Sequence, residues 1–144
     1  MDVSISLLTS AVPAPAYAHP GDAGLDLRAT EAGTLAPFER ALVPCGFAMA
    51  IPEGHAGLVI PRSGLAAKHG VSIVNAPGLI DSGYRGEIKV SLVNLDSREP
   101  FSYEIGDRIA QLVIIRTPEI TLHNTYELPE TARGGQGFGS SGVH

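Results

Sequence analysis

Only one cysteine, Cys45, occurs in the 144 residues, so no disulfide can close within the chain and the fold does not need an oxidising compartment. Between Pro44 and Gly46 it reads as a small buried side chain. The histidines (His19, His55, His69, His123 and His144) are scattered, and none has zinc spacing with the cysteine. Basic residues are few: ten Lys and Arg against fifteen Asp and Glu leave a formal net charge of −5. That balance excludes a protein that grips nucleic acid through a broad basic face. It leaves room for an anionic small ligand, which a local pair of arginines can hold. No long hydrophobic run is present. The longest, near 41–52, is broken by Pro44 and Gly46, and no segment can span a bilayer. The N-terminus lacks the basic region and apolar stretch of a signal peptide. The expected location is the cytoplasm, with no membrane partner. No internal repeat was found.

What the chain does have is turn formers: 17 glycines and 11 prolines, with 44% apolar residues. This favours one ordered domain of short strands over long helices. Val3, Ile5 and Leu7 alternate with Ser4 and Ser6, the period of a half-buried strand. Residues 11–20 carry Pro13, Pro15 and Pro20 and read as an extended surface loop. Further strands are expected at 25–28, 41–43, 47–51, 57–60, 71–74 and 87–94, the last with Ile88, Val90 and Leu92 on one side. The nearly all-apolar run 109–115 predicts a strand buried on both faces, and 121–126 a last strand. The single helical candidate is 64–69. Strands recurring every ten residues or so predict a sandwich, jelly roll or barrel. Residues 133–144 hold five glycines and almost no apolar side chains. They form either a loose end or an arm that orders over a ligand, outside a β domain spanning 1–132.

The richest stretch is NAPGLIDSGYRGEI, from Asn75 to Ile88. It sets one carboxylate, Asp81, and one aromatic, Tyr84, in a turn with Gly78, Gly83 and Gly86, and is expected to form a hairpin. A crowded turn on a rigid sheet is a common place for catalytic and binding groups. The tail contains a decoy. Gly137-Phe138-Gly139-Ser140-Ser141-Gly142 matches GxGxxG, but the dinucleotide reading needs a following helix, and the chain stops two residues later. What survives is a glycine and serine cradle for phosphate oxygens, a forked cation at Arg133 and a stackable ring at Phe138. Arg62 and Ser63 open the short helix, where backbone N–H groups attract anions. The plainer reading is a serine N-cap and a surface arginine. Asp26, between Leu25 and Leu27, is either an edge carboxylate or a holder of an ion or water. Gln111 carries an amide into a greasy strand. A buried amide without partners costs about 1–3 kcal/mol, so a dedicated partner is expected. Two arginines, a metal-compatible carboxylate, a phosphate cradle and a stackable ring together ask for a nucleoside triphosphate.

Five ordered stretches then carry a family likeness. AGLDLRA at 23–29, PRSGLA at 61–66, NAPGLIDSGYRGEI at 75–88, GDRIAQL at 106–112 and RGGQGFGSSG at 133–142 resemble the motifs of the trimeric dUTP diphosphatases (dUTPases), in their order and over almost the whole chain. The resemblance implies an all-β distorted jelly roll (a β-clip) with one short helix and a flexible C-terminal arm. It implies a homotrimer with sites at subunit interfaces, and Mg²⁺-dependent hydrolysis of dUTP to dUMP and pyrophosphate. By the same resemblance, Asp81 activates the attacking water and Asp26 organises the water shell of the metal. Arg62, Ser63, Gly64 and Gln111 contact phosphates. Asn75, with Gly78, Leu79 and Ile80 of the neighbouring backbone, reads uracil, and Tyr84 packs beneath the deoxyribose. Arg133 reaches the γ-phosphate, Phe138 covers the base, and Gly139, Ser140 and Ser141 complete the phosphate grip. Lys89 receives no role.

Two other classes stay open on sequence grounds. A dCTP deaminase resembles this fold, but typically carries RSSLAR where this chain has Arg62-Ser63-Gly64-Leu65-Ala66. A non-catalytic nucleotide sensor would lack Asp81 or the arm motif, and both are present.

Overall fold

The computed structural model describes residues 1–132 together with Gly134 and Gly135. Eleven strands and one helix follow in order: β1 (Ser4–Leu7), β2 (Leu25–Arg28), β3 (Gly33–Leu35), β4 (Arg40–Pro44), β5 (Phe47–Ala50), β6 (His55–Pro61), α1 (Ser63–His69), β7 (Val71–Ile73), β8 (Gly78–Ile80), β9 (Lys89–Asn94), β10 (Phe101–Tyr103) and β11 (Arg108–Arg116). They form a four-stranded sheet in the order β2-β11-β6-β8, a three-stranded sheet β4-β9-β7, and the pairs β1-β5 and β10-β3. Every pairing is antiparallel.

One apolar core joins these sheets. Leu27, Val59 and Leu112 come from the four-stranded sheet, Val43, Val90 and Leu92 from the three-stranded one, and Phe47 and Met49 from β5. The alternation expected at 87–94 is borne out: Ile88, Val90 and Leu92 are fully buried. Asn94, also fully buried, donates to the carbonyls of Leu35 and Glu99 at 3.1 and 2.9 Å and accepts from the Asp96 N–H at 2.9 Å. Its amide is satisfied, so it stitches the core without a desolvation penalty. Cys45 is buried as expected, and burial, helped by the nearby Glu87 charge, pushes its thiol up to about 12. It stays protonated and inert.

Several expectations are corrected. β1 forms, but all four of its residues are exposed, so it is not half-buried within one chain. In β11 only Ile109, Ala110 and Leu112 are buried, and Val113, Ile114 and Ile115 are half-buried. No strand forms at 121–126: Ile120, Leu122, Tyr126 and Leu128 are all exposed, so the segment buries no apolar face against the described residues. The stretch 75–88 is not a β-hairpin. β8 pairs with β6 and β9 pairs with β4 and β7, so residues 81–88 cross from one sheet to the other. The helix is where it was expected, but Ser63 is not its N-cap. Arg62 takes that position without a side-chain cap, and Ser63 is the first helical residue. α1 stops at Gly70, whose φ of 64° is left-handed and whose N–H returns to the Ala66 and Leu65 carbonyls.

Candidate active site

Two groups of polar side chains stand out, one at each edge of the four-stranded sheet. The first is built on β2. Asp26 is only 5% exposed, because strand alternation turns it away from the core side that Leu27 fills, and flanking elements close over it. Arg62, at the end of β6, brings Nε to 3.5 Å from Asp26 Oδ1, and Arg108, opening β11, brings a guanidinium nitrogen to 3.3 Å from Oδ2. Arg62 also donates to the Arg108 carbonyl at 3.1 Å, which locks the two cations together. Ala16 receives the Asp26 N–H from above.

Asp26 Oδ1 is nonetheless buried without a hydrogen-bond partner among the described residues. A buried carboxylate oxygen left with ionic contact alone retains an acceptor site. It suits a water held by a cation, whereas two adjacent guanidinium groups disfavour a metal bound directly to the carboxylate. Among the described residues no three His, Cys, Asp or Glu side chains gather as a metal cage. Gln111 lies directly across from Asp26 in the sheet, between it and Ile60. It is half-buried, packs against Gly24, and none of the hydrogen bonds among the described residues engages its amide. The expected dedicated partner is therefore not in this chain's sheet; partial exposure leaves the amide open to solvent or ligand. Ser63 and Gly64 are exposed at the start of α1, next to Arg62.

The second group lies beyond β8. An open cavity of about 300 Å³ is lined by Leu79, Ile80, Asp81 and Tyr84 together with Glu87 and Lys89. The turn is tightly made: Tyr84 N–H returns to the Asp81 carbonyl at 3.1 Å, and the Arg85 guanidinium curls onto the Ser82 and Tyr84 carbonyls at 2.6 and 2.8 Å. Asn75 sits beside Gly78, its amide nitrogen 3.3 Å from where a Cβ there would lie. The far side of the turn is anchored to the β4–β5 corner, where Cys45 N–H meets the Ile88 carbonyl, Ile88 N–H meets Phe47, and the Glu87 carboxylate accepts the buried Gly46 N–H at 3.0 Å.

Within one chain the two groups do not meet. β2 and β8 are opposite edges of the sheet, three strand spacings or roughly 14 Å apart. Asp26 is level with Ile60 of β6 through Gln111, while Ile80 pairs with Gly57, about 10 Å further along. Asp26, Arg62, Ser63, Gly64 and Gln111 thus form one cluster, and Asn75, Gly78, Leu79, Ile80, Asp81 and Tyr84 another. Arg133, Phe138, Gly139, Ser140 and Ser141 lie outside the described residues. Sequence reading passed over Arg108 and Glu87 and gave Lys89 no role, yet all three border these clusters. Arg108 had a visible signal, a cation directly before an apolar strand that also carries Gln111.

The comparisons with known proteins bear on this arrangement. A family model described as dUTPase matches residues 10–142. The chain belongs to the dUTPase family. The deoxyuridine 5'-triphosphate nucleotidohydrolase of Streptomyces griseus is 57% identical over 144 residues, covering 100% of this chain and 82% of that protein. Its counterpart from Thermobifida fusca is 54% identical over 142 residues, covering 99% and 79%. Among solved structures, a point mutant of the dUTPase of Staphylococcus bacteriophage 80alpha with dUpNHpp shares 31% identity at a TM-score of 0.91, covering 99% of both chains. A point mutant of the dUTPase of phage phi11 of S. aureus, described with a structural Mg(II) ion, shares 27% at a TM-score of 0.81, covering 88% of this chain and 98% of that one. The sheets described above are thus the jelly-roll-like fold of the dUTPases. Among the described residues, no helix is long and apolar enough to cross a membrane.

Proposed function

We propose that this dUTPase hydrolyses dUTP to dUMP and pyrophosphate at sites shared between copies in a homotrimer, in the cytoplasm, limiting uracil in DNA and supplying dUMP for dTTP synthesis. The observation that carries the reading is the Asp81–Tyr84 turn. It gives a nucleoside-sized cavity one carboxylate and one ring, while the cations stand on the opposite edge of the sheet. A triphosphate is too short to bridge those edges within one chain, so the Asp81 turn of one copy faces the Asp26 cluster of another. The exposed apolar side chains at 120–128 and on β1 are surface that such an assembly covers.

Asp81 takes a proton from a water as the water oxygen bonds to the α-phosphorus. The bond from that phosphorus to the bridging oxygen breaks in line, and the electron pair leaves with pyrophosphate. Arg62, the Ser63 and Gly64 backbone and Gln111 hold phosphate oxygens. Asn75 and the backbone of Gly78, Leu79 and Ile80 read the uracil edge. Tyr84 lies under the deoxyribose, where a 2′-hydroxyl collides with it. Residues 133–144 act as an arm: Arg133 meets the γ-phosphate, Phe138 covers the base, and Gly139, Ser140 and Ser141 close on the phosphates. Asp26 Oδ1 would help to hold Mg²⁺ through a water, and the ion would supply positive charge to neutralise the phosphates.

A pyrophosphate-release assay on dUTP, UTP, dTTP and dCTP, with and without EDTA, tests this. Fast release from dUTP alone, abolished by EDTA, is the expected result. Ammonia released from dCTP would point instead to a deaminase, and equal rates on UTP and dUTP would remove the sugar-selecting role of Tyr84.

A further inference from the structure

We infer that Gly86 is a positioning residue for sugar selection: together with the carbonyl of Glu87 it forms the seat that fixes the tilt of the Tyr84 ring. This rests on the reading of Tyr84 as the ring beneath the deoxyribose. Gly86 is not among the glycines with positive φ, so its backbone does not require glycine. The ring does. A Cβ built on Gly86 would land on the Tyr84 hydroxyl, 2.6 Å from Cζ and 3.0 Å from Cε2. The aromatic ring therefore folds back over its own turn, and its hydroxyl donates to the Glu87 carbonyl at 3.0 Å.

That carbonyl is itself held in place. The next residue, Ile88, is bonded on both sides to Cys45 and Phe47, and the Glu87 carboxylate bonds the Gly46 N–H. The chain of support runs from the rigid β4–β5 corner, through Glu87, to the tyrosine hydroxyl. Tyr84 is 46% exposed, and the atoms that a methyl group on Gly86 would meet are the far end of its side chain, so that methyl displaces the ring rather than the backbone. The fold survives and the ring loses its angle. A steric filter of this kind works only while its wall stays put.

The test compares kcat/KM for dUTP and UTP within each of three variants, so that any loss of folded protein cancels in the ratio. Gly86→Ala is expected to retain most of its thermal stability while the dUTP-to-UTP ratio falls at least about tenfold, the scale on which one methyl-sized change alters selection. Tyr84→Ile is the control for the parent reading and must lower the ratio too. If Tyr84→Ile lowers it and Gly86→Ala leaves it unchanged, the seat is refuted while the role of Tyr84 stands. If Tyr84→Ile leaves it unchanged, the role of Tyr84 falls and the seat with it. Should Gly86→Ala fail to fold, Tyr84→Phe decides: it keeps the ring and deletes only the bond to the Glu87 carbonyl. A reduced ratio supports the seat and an unaltered ratio overturns it.

Discussion

Phe38 carries a local backbone cost that its exposed ring does little to offset. It turns the chain between β3 and β4 with φ of 64°, alone among the described non-glycine residues in that region, and its ring is 66% exposed. A left-handed conformation costs a residue with a Cβ about 1–2 kcal/mol, and an exposed ring returns little by burial. Glycine escapes that cost but loses more chain entropy on folding, so the net gain from Phe38→Gly is expected to be about 1 kcal/mol. Its thermal midpoint, followed by circular dichroism, should rise by a few degrees with dUTP turnover unchanged; a lower midpoint would mean that the ring packs against something in the assembled protein. Asp26 is the opposite case. Its lone charge between two leucines was visible in the sequence, and its burial between Arg62 and Arg108 gives the reason: the two cations make a buried carboxylate tolerable.

At the scale of elements, the β4–β5 corner and the Asp81 turn are held to each other by Glu87. Removing its carboxylate in Glu87→Ala leaves the buried Gly46 N–H without an acceptor, a loss of about 1–3 kcal/mol. The half-exposed ion pair with Lys89, at 3.6 Å, adds little to that. Glu87→Gln keeps an oxygen for Gly46 and should recover most of the stability. Equal thermal midpoints for the Ala and Gln variants would show that charge, not the hydrogen bond, matters there. Such a tie between positions 41 residues apart has no sequence signature. The strands with clear alternation or β-branched runs were legible: β2, β4, β5, β6, β7 and β9 all fall within a few residues of expectation. The three-residue strands β3, β8 and β10 were not: so short a stretch shows no period, and unlike β7 (also three residues, in the β-branched run at 71–74) they lie in no run that marks them. The apparent hairpin at 75–88 failed for a related reason. Two apolar runs joined by glycines look alike whether they pair with each other or, as here, with strands of two different sheets.

At the scale of the whole molecule, the five motifs named the candidate site residues, but not their separation, since motif order carries no distances. Asp26 and Asp81 sit on opposite edges of one sheet, and this makes a sharp demand on the assembly. If each site takes Asp81 from one copy and Asp26 from another, two different inactive variants can repair each other. On the proposed mechanism Asp81→Asn lacks the group that accepts the proton, and alone should lose at least about a hundredfold in turnover. Asp26→Asn removes the negative charge that pairs with Arg62 and Arg108 and on the same reading should also be impaired. When the two are unfolded together and refolded as a mixture, a copy with intact Asp81 can stand beside a copy with intact Asp26. Random assortment around a closed ring then restores up to about a quarter of the wild-type rate. Refolding the variants apart and mixing them afterwards restores nothing unless copies exchange. A site confined to one chain predicts no recovery in either protocol, because every copy would still hold one defective carboxylate. Activity regained only on joint refolding would therefore locate the two carboxylates of one site on two polypeptides.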